Sequence, residues 1–473
     1  MPELQAQESL QPPELARLYV PQQHRKALSL DASVVVGMRG AGKSLWTAVL
    51  ASEPHRAFVS EQIGNSLVGK ILACVGFGLD ETETHFPRPE TLAALVGQGL
   101  APADIWQTVV LRHALRTVRD RAAAADRSWR EACTWVVENP DEANARLTAC
   151  DEKLARNDRI LLVLFDAFDR LATDWEQVRQ LAKGALQVGL RLRSRRAIRG
   201  KFFVRPDLEE DDEIWRFPDS SKLRHNKVDL SWSSSDLYGL VIMHLGNDRE
   251  FGEEFRTQLA REWAIGWQPT RQVYVPPQEL TTEEKQRPVI KALADTTMGK
   301  GPKRGYTYSW IPLHLADAKG RISPRSFLLA FKKAAEHTAQ YRPEHPLALH
   351  YGAIQQGVVK ASEVRVDEIN EDYPWVRPLL ESLRGGVVPM TIEEVSSRWS
   401  TECLQEMRRA ASAKLPPGRY TQDLFRPGTP NALVDGLVEL AVLYRASDER
   451  LNMPDIFRVG FGIRRKGGVK PPR

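Results

Sequence analysis

Val34-Val35-Val36-Gly37-Met38-Arg39-Gly40-Ala41-Gly42-Lys43-Ser44 runs an apolar β-branched stretch into G-x-x-x-x-G-K-S, and Leu45-Trp46-Thr47-Ala48-Val49-Leu50 continues as a helical pattern. β-Branched residues fit a strand, and glycines permit a tight turn. The helix that follows turns its unpaired first-turn N–H groups and the positive end of its dipole toward that turn. Strand, glycine-rich loop and helix in this order make a phosphate-binding P-loop. Gly37, Gly40, Ala41, Gly42, Lys43, Ser44 and Leu45 are therefore the candidate nucleotide-binding residues. Lys43 is expected to reach the β- and γ-phosphates and the Ser44 hydroxyl to meet Mg²⁺. ATP and Mg²⁺ are the expected cofactors.

A second stretch completes the pattern. Arg159-Ile160-Leu161-Leu162-Val163-Leu164-Phe165-Asp166-Ala167-Phe168-Asp169 is a continuous apolar run closed by acid. Strands of a parallel sheet covered on both faces read this way. An Asp at the C-terminal end of such a strand lies beside the phosphate loop, where it can hold Mg²⁺ through water. Asp166 is that candidate and shares the metal with Ser44. Ala167 follows it directly, so Asp169, three positions on, is the candidate acid for polarising the attacking water. The plainer reading of the same letters is a buried strand with a helix-capping Asp at its exit.

The chain has 473 residues, 42% hydrophobic and 27% charged, with a formal net charge of +5. These values describe a globular protein of two or three domains. No apolar run approaches the ~18 residues of a membrane-spanning helix, so no membrane partner is expected. The N-terminus lacks a basic start followed by an apolar stretch, so a cytoplasmic location is expected. Cys74, Cys133, Cys150 and Cys403 are scattered without C-x-x-C spacing, and the histidines show no metal-ligand spacing.

Residues 1–30 form a proline-containing lead-in that is expected to wrap under the nucleotide base. Residues 31–235 alternate strand and helix. Strands are expected at 33–36, at Arg56-Ala57-Phe58-Val59-Ser60, at 160–165, at Lys201-Phe202-Phe203-Val204 and at Lys227-Val228-Asp229-Leu230, with helices over 103–158 and 174–196. The helical segment, about 80–158, is an insertion or an enlarged helical layer. The expected fold class is α/β: a P-loop core with a parallel sheet and helices on both faces, then a helical region over 236–385 and a small separate module over 386–473, which the family resemblance given below implies are a helical lid and a winged-helix-like module. Helices are expected at 235–245, from Ser323-Pro324, and at 392–399, 404–411 and 432–444, with a flexible basic loop at 300–305. Phe457-Arg458-Val459-Gly460-Phe461-Gly462-Ile463 reads as a strand.

With the P-loop and Asp166 in place, the chain resembles the STAND branch of P-loop ATPases, near the AAA+ and origin-recognition group. Leu164-Phe165-Asp166-Ala167-Phe168-Asp169-Arg170-Leu171 is similar to the STAND and KAP form of the acidic strand, whose second acid stands three positions after the first. Lys201-Phe202-Phe203-Val204-Arg205 resembles the strand ending in a sensor-1 arginine. Residues 227–237 resemble the last core strand and the entry to the lid, and Ser323-Pro324-Arg325-Ser326-Phe327 resembles a lid helix carrying a sensor-2 arginine. The resemblance covers about residues 30–473. It implies that Arg205 and Arg325 join Lys43, Asp166 and Asp169 as catalytic residues, and that the protein is a homo-oligomer or governs an effector protein in a bacterial conflict or anti-phage defence system. Ala167 departs from the adjacent acid of ordinary AAA+ motors, which implies slow hydrolysis.

Two basic clusters remain. Arg191, Arg193, Arg195, Arg196, Arg199 and Lys201 suggest an intersubunit or nucleic-acid contact, or a solvated helix end. Arg464, Arg465, Lys466, Lys470 and Arg473 suggest a phosphate-contacting wing or a solubilising tail. Three functions stay open at this point: a STAND-like switch ATPase, an AAA+ ATPase that loads on or remodels DNA, and a regulator that binds ATP without hydrolysing it.

Overall fold

The computed structural model describes residues 11–79, 84–120, 127–173, 175–270, 273–413 and 430–467. Five strands form the central sheet: β1 (Val34–Val36), β2 (Ile71–Phe77), β3 (Ile160–Phe165), β4 (Ile198–Val204) and β5 (Val228–Asp229). Their order is β2-β3-β4-β1-β5, and every pairing is parallel. The chain leaves β1 for the far edge, returns strand by strand to β4, then passes β1 to lay down β5. That reversal beside β1 is the kind of switch point at which open α/β sheets bind ligands, off the carboxyl ends of their strands.

The strand side chains divide by period two between two cores. Val35, Leu162, Leu164 and Phe203 belong to one buried cluster. Val34, Val36, Leu161, Val163, Phe165, Phe202 and Val204 belong to the other. Helices Pro89–Gly97, Pro102–Thr117, Trp129–Glu138, Pro140–Arg156 and Trp175–Leu192 supply the second cluster, so the segment between the P-loop and Asp166 is an enlarged helical layer. The sheet stacks Phe165 on Phe202, ring centroids 4.8 Å apart, against this layer. Gly189 lets the Phe202 ring approach, since a Cβ there would lie 2.3 Å from it.

The first cluster continues without interruption from the sheet into the lid and the C-terminal module, taking in Tyr238, Phe327, Leu379, Trp399, Leu437 and Phe457. The lid begins at helix Ser234–Gly246, where Ser233 and Asp236 form a capping box. It continues through Gly252–Trp263, Glu283–Leu293, Thr307–Leu315, Pro324–Tyr341 and Tyr351–Asp372. The last two are its packed centre, and Gly357 lets them meet backbone to backbone, since a Cβ there would lie 2.1 Å from Ala330 O. Within the lid β6 (Gln268–Pro269) pairs antiparallel with β7 (Tyr274–Val275). In the C-terminal module β8 (Val387–Val388) pairs parallel with β11 (Arg464–Arg465), and β9 (Tyr444–Arg445) pairs antiparallel with β10 (Leu451–Asn452). Helices Ile392–Ser396, Thr401–Ala413 and Pro430–Glu439 stand between β8 and the hairpin.

Three expectations are corrected. Residues 56–60 are not a strand but part of helix Glu53–Ile63, with Pro54 in its first turn and Gly64 ending it at a φ of 65°. The second strand is instead β2. A short apolar run carries no period of its own, and the flanking proline and glycine decide for helix. Residues 457–463 are likewise not a strand. Helix Asp455–Arg458 occupies the start, tied by an Asp455–Arg458 ion pair, and Gly462 turns the chain at a φ of 66°. The helix expected over 432–444 spans Pro430–Glu439, and Tyr444 opens strand β9 instead. Asp174, Lys470 and Arg473 lie outside the described residues. Among the described residues, no helix is long and apolar enough to cross a membrane.

Candidate nucleotide site

The P-loop leaves β1 at its C-terminal end. Gly37 N–H donates to Val204 O (3.0 Å), and Ala41 N–H donates to Met38 O (3.1 Å), closing the turn. Gly40 and Gly42 take φ of 79° and 107°, a region costly to any residue with a Cβ. Gly42 is the N-cap of helix Lys43–Ala51 and offers no side chain to its first-turn N–H groups, among them those of Lys43, Ser44 and Leu45. Trp232 Nε1 donates to Ala41 O (2.9 Å) and pins the loop from the far side. The lead-in holds the same helix: His24 accepts from Trp46 Nε1 (3.0 Å) and bonds Ser231 O (2.9 Å). The Lys43 ammonium folds back onto Gly37 O (2.7 Å) and Met38 O (3.2 Å). Burial pulls it below the ordinary lysine value, against the opposing charge of Asp166.

Asp166 lies at the end of β3, with β4 between it and the P-loop strand. It is 1% exposed, and neither carboxylate oxygen has a hydrogen-bond partner. Burial raises its pKa, while Lys43 and then Ser44 favour the charged form. A buried carboxylate without a well-formed hydrogen bond is costly, and a cation relieves that cost. The residues therefore fit Mg²⁺, which Ser44 and Asp166 would hold together with water and phosphate oxygens. Among the described residues there is no group of three or more His, Cys, Asp or Glu that could hold a metal on side chains alone.

Ala167 adopts a φ of 56°, an unfavourable conformation for alanine, at the entry to the 3-10 turn Phe168–Arg170. This bend separates the two acids: Asp166 is buried beside Lys43 and Ser44, while Asp169 is 40% exposed with an oxygen 3.7 Å from Arg205.

Arg205 and Arg325 both border the loop, and both are engaged by acid. Arg205 donates to Asp372 (3.0 Å) and to Tyr373 Oη (3.0 Å), and it pairs with Asp207 (3.2 Å). Arg325 stands at the start of helix Pro324–Tyr341, two residues after Ser323. The Ser323 hydroxyl would be 2.5 Å from a Cβ on Gly40, and it is buried without a partner. The Arg325 guanidinium donates to Glu368 (2.8 Å). The structure adds a residue that the motif concealed: Arg39, inside the P-loop, donates to Asp372 (2.9 Å) and Glu371 (2.5 Å). The letter x in G-x-x-x-x-G-K-S carries no signal, and its partners lie more than 330 positions away in the chain.

The two basic clusters divide differently. Lys201 is not on the surface. The residue is 1% exposed, its ammonium donates to Ala27 O (2.7 Å), Ser29 O (2.9 Å) and Ala32 O (2.5 Å), tying the lead-in to β4, and burial brings its pKa to about 7. Arg191, Arg193, Arg195 and Arg199 bond neutral acceptors: Gln107, Lys222 O, Asn144 with Thr148, and the carbonyls of Arg195 and Ile198. They lie toward the N-terminal end of β4, opposite the P-loop. Arg464 and Arg465 are not a free tail. They form β11, and Arg465 turns inward to Asp455 (3.2 Å).

No family model matches the sequence, and none of the curated proteins compared with it does. Among solved structures, the chain is similar to the Aeropyrum pernix ORC2 protein in its ADPNP–ADP complexes, at 14% identity over 95% of this chain and 93% of that one, with a TM-score of 0.41. It is also similar to Cdc6p from Pyrobaculum aerophilum, at 9% identity over 90% and 84%, with a TM-score of 0.30. The class rests on the molecule itself: an α/β fold whose parallel sheet carries a P-loop on β1 and a buried acid on β3, beneath a helical lid and a C-terminal module.

Proposed function

We propose that this protein is a STAND-like, AAA+-related switch ATPase, which binds ATP with Mg²⁺ and hydrolyses it slowly to control its own assembly or a partner effector, in the manner of bacterial defence systems. The observation that carries nucleotide binding is the unpaired, buried carboxylate of Asp166 facing Lys43 and Ser44 across the end of the sheet. In this reading the P-loop amides cradle the β-phosphate, Lys43 swings from the carbonyls of Gly37 and Met38 to the β/γ-phosphates, and Ser44 and Asp166 hold the metal. Slow turnover is supported by Asp169, which is offset from Asp166 by the strained Ala167 and shares the field of Arg205. Switch behaviour is supported by the lid, whose helices contact the P-loop through Ser323, Arg325 and Asp372. The working division of the chain is a lead-in to residue 30, a core over 31–235, a lid over 236–385 and a winged-helix-like module beyond. The test is binding of Mg·ATP and Mg·ADP, phosphate release, and sedimentation with each nucleotide. Saturable ATP binding that Lys43→Ala removes, with ATP-dependent assembly in the absence of DNA, is the expected result.

A second reading, an AAA+ ATPase acting on DNA, is favoured by Arg191, Arg193, Arg195 and Arg199, which among the described residues bond neutral acceptors and so offer positive charge to a polyanion. DNA-stimulated phosphate release would select it.

A further inference from the structure

Arg39, Arg205 and Arg325, the three arginines described above at the P-loop, are all held by one helix end. Asp372 takes hydrogen bonds from Arg39 (2.9 Å) and Arg205 (3.0 Å) on a single oxygen. Glu371 takes a second bond from Arg39, and Glu368 takes one from Arg325 (2.8 Å) and one from Arg365 (2.8 Å). These acids close helix Tyr351–Asp372, which has no basic residue in its last turn. Carboxylates at a helix C-terminus oppose the helix dipole, so this end is unfavourable by itself. Apart from Arg365 on the helix itself, which pairs with Glu368, its charge is balanced from outside, by the guanidiniums of Arg39, Arg205 and Arg325 that border the P-loop. The Ser323 hydroxyl beside Gly40 and the Asp166 carboxylate nearby meanwhile have no partner. The site thus keeps its cation-seeking oxygens open while its anion-seeking arginines are occupied by protein.

We propose that Glu368, Glu371 and Asp372 are an internal competitor for the nucleotide's phosphates, and that Arg39, with Arg205 and Arg325, reads the phosphate once the helix end is displaced. This rests on the nucleotide reading above. Guanidinium engages carboxylate and phosphate through the same planar fork of donors, so one arginine cannot serve both fully. A triphosphate brings more charge to that exchange than a diphosphate. ATP therefore displaces the helix end more completely than ADP, and the lid is freed in proportion. The apparent affinity for ATP is lowered by the fraction of molecules in which the acids hold the arginines.

The full-length E371Q/D372N variant tests this by titration with Mg·ATP and Mg·ADP. It keeps side-chain shape and hydrogen bonds but removes the competing charge. We expect ATP to bind about tenfold more tightly than to wild type, with a smaller gain for ADP. Arg39→Ala opens the same pair from the other side but deletes a phosphate ligand, so it should not tighten ATP. Unchanged ATP affinity in E371Q/D372N overturns the proposal, and equal tightening by Arg39→Ala overturns the reading role of Arg39. If the double variant does not fold, hydrogen exchange of residues 366–373 in wild type decides. Faster exchange with Mg·ATP than with Mg·ADP supports the competitor, and equal exchange overturns it. Wild type that binds neither nucleotide sinks both the nucleotide reading and the competitor. Wild type that binds ATP through Lys43, with an indifferent double variant, sinks the competitor alone.

Discussion

Lys43 is the residue on which most depends. Its ammonium lies on the carbonyls of its own loop and is not part of the apolar core. Lys43→Ala should leave the fold intact and weaken ATP binding about ten- to a hundredfold, the loss of one charge-assisted contact. Titration of the folded variant checks this. Asp166 and Asp169 should separate in a turnover assay. Asp166→Asn should impair Mg²⁺-dependent hydrolysis, since it removes the buried charge that would hold the metal. Asp169→Asn should leave binding nearly intact and slow phosphate release by about a hundredfold, as expected for a residue acting on the water in the transition state. Wild-type turnover in Asp169→Asn would remove it from the mechanism. The placement of these three residues, on the P-loop and at the end of β3, was legible in the sequence because both are local patterns: letters, neighbours and periodicity coincide. The contacts of Arg39 were not, because its partners Glu371 and Asp372 lie far along the chain and only the lid brings them to it.

At the scale of elements, long periodic segments were readable and short ones were not. Helix Trp175–Leu192 and strands β3 and β4 carry many buried positions each, so their pattern outweighs local noise. Residues 56–60 and 457–463 carry few, and in both cases a glycine or proline at the flank decided the outcome. The C-terminal arginines show why composition misleads. A run of basic residues near a chain end reads as a solvated tail, yet Arg465 is buried on β11 against Asp455, which also pairs with Arg458. Arg465→Ala should destabilise the protein by about 2 kcal/mol, below the full cost of orphaning a buried acid because Arg458 remains. Arg464→Ala, on the exposed position of the same strand, should change stability by less than about 0.5 kcal/mol. Chemical denaturation of the two variants distinguishes an inward arginine from a tail. The lid helix start carries a further expectation. Arg325→Ala should retain nucleotide binding but blur the difference between ATP- and ADP-bound forms in assembly state or protease sensitivity. A variant that separates the two forms as wild type does would show that the lid is not read through Arg325.

Across the whole molecule, the lead-in, core and insertion are joined partly through neutral buried histidines, and this makes stability depend on pH. His24 is fully buried between Trp46, Trp232 and Ser231, and burial lowers its pKa to about 4. His113, in the helical layer, is lowered to about 4 as well, first by burial, then by His85 and Arg116. An unfolded histidine takes up its proton near pH 6.5. Between pH 6.5 and about 4 the unfolded chain therefore binds more protons than the folded one, so stability falls as the pH falls, by about 1.4 kcal/mol per pH unit for each histidine. Above pH 6.5 both states are neutral at these sites and the dependence vanishes. The cause at His24 is specific: its Nδ1 must stay unprotonated to accept from Trp46, the side chain on the helix that carries Lys43. Acid should thus weaken nucleotide binding along with stability. His24→Gln keeps an acceptor and a donor but cannot titrate in this range. Denaturant unfolding at pH 7, 6 and 5 should show wild type losing stability at each step and His24→Gln losing about one proton's share less. An identical slope in the two proteins would mean that His24 titrates as freely in the folded state as in the unfolded one.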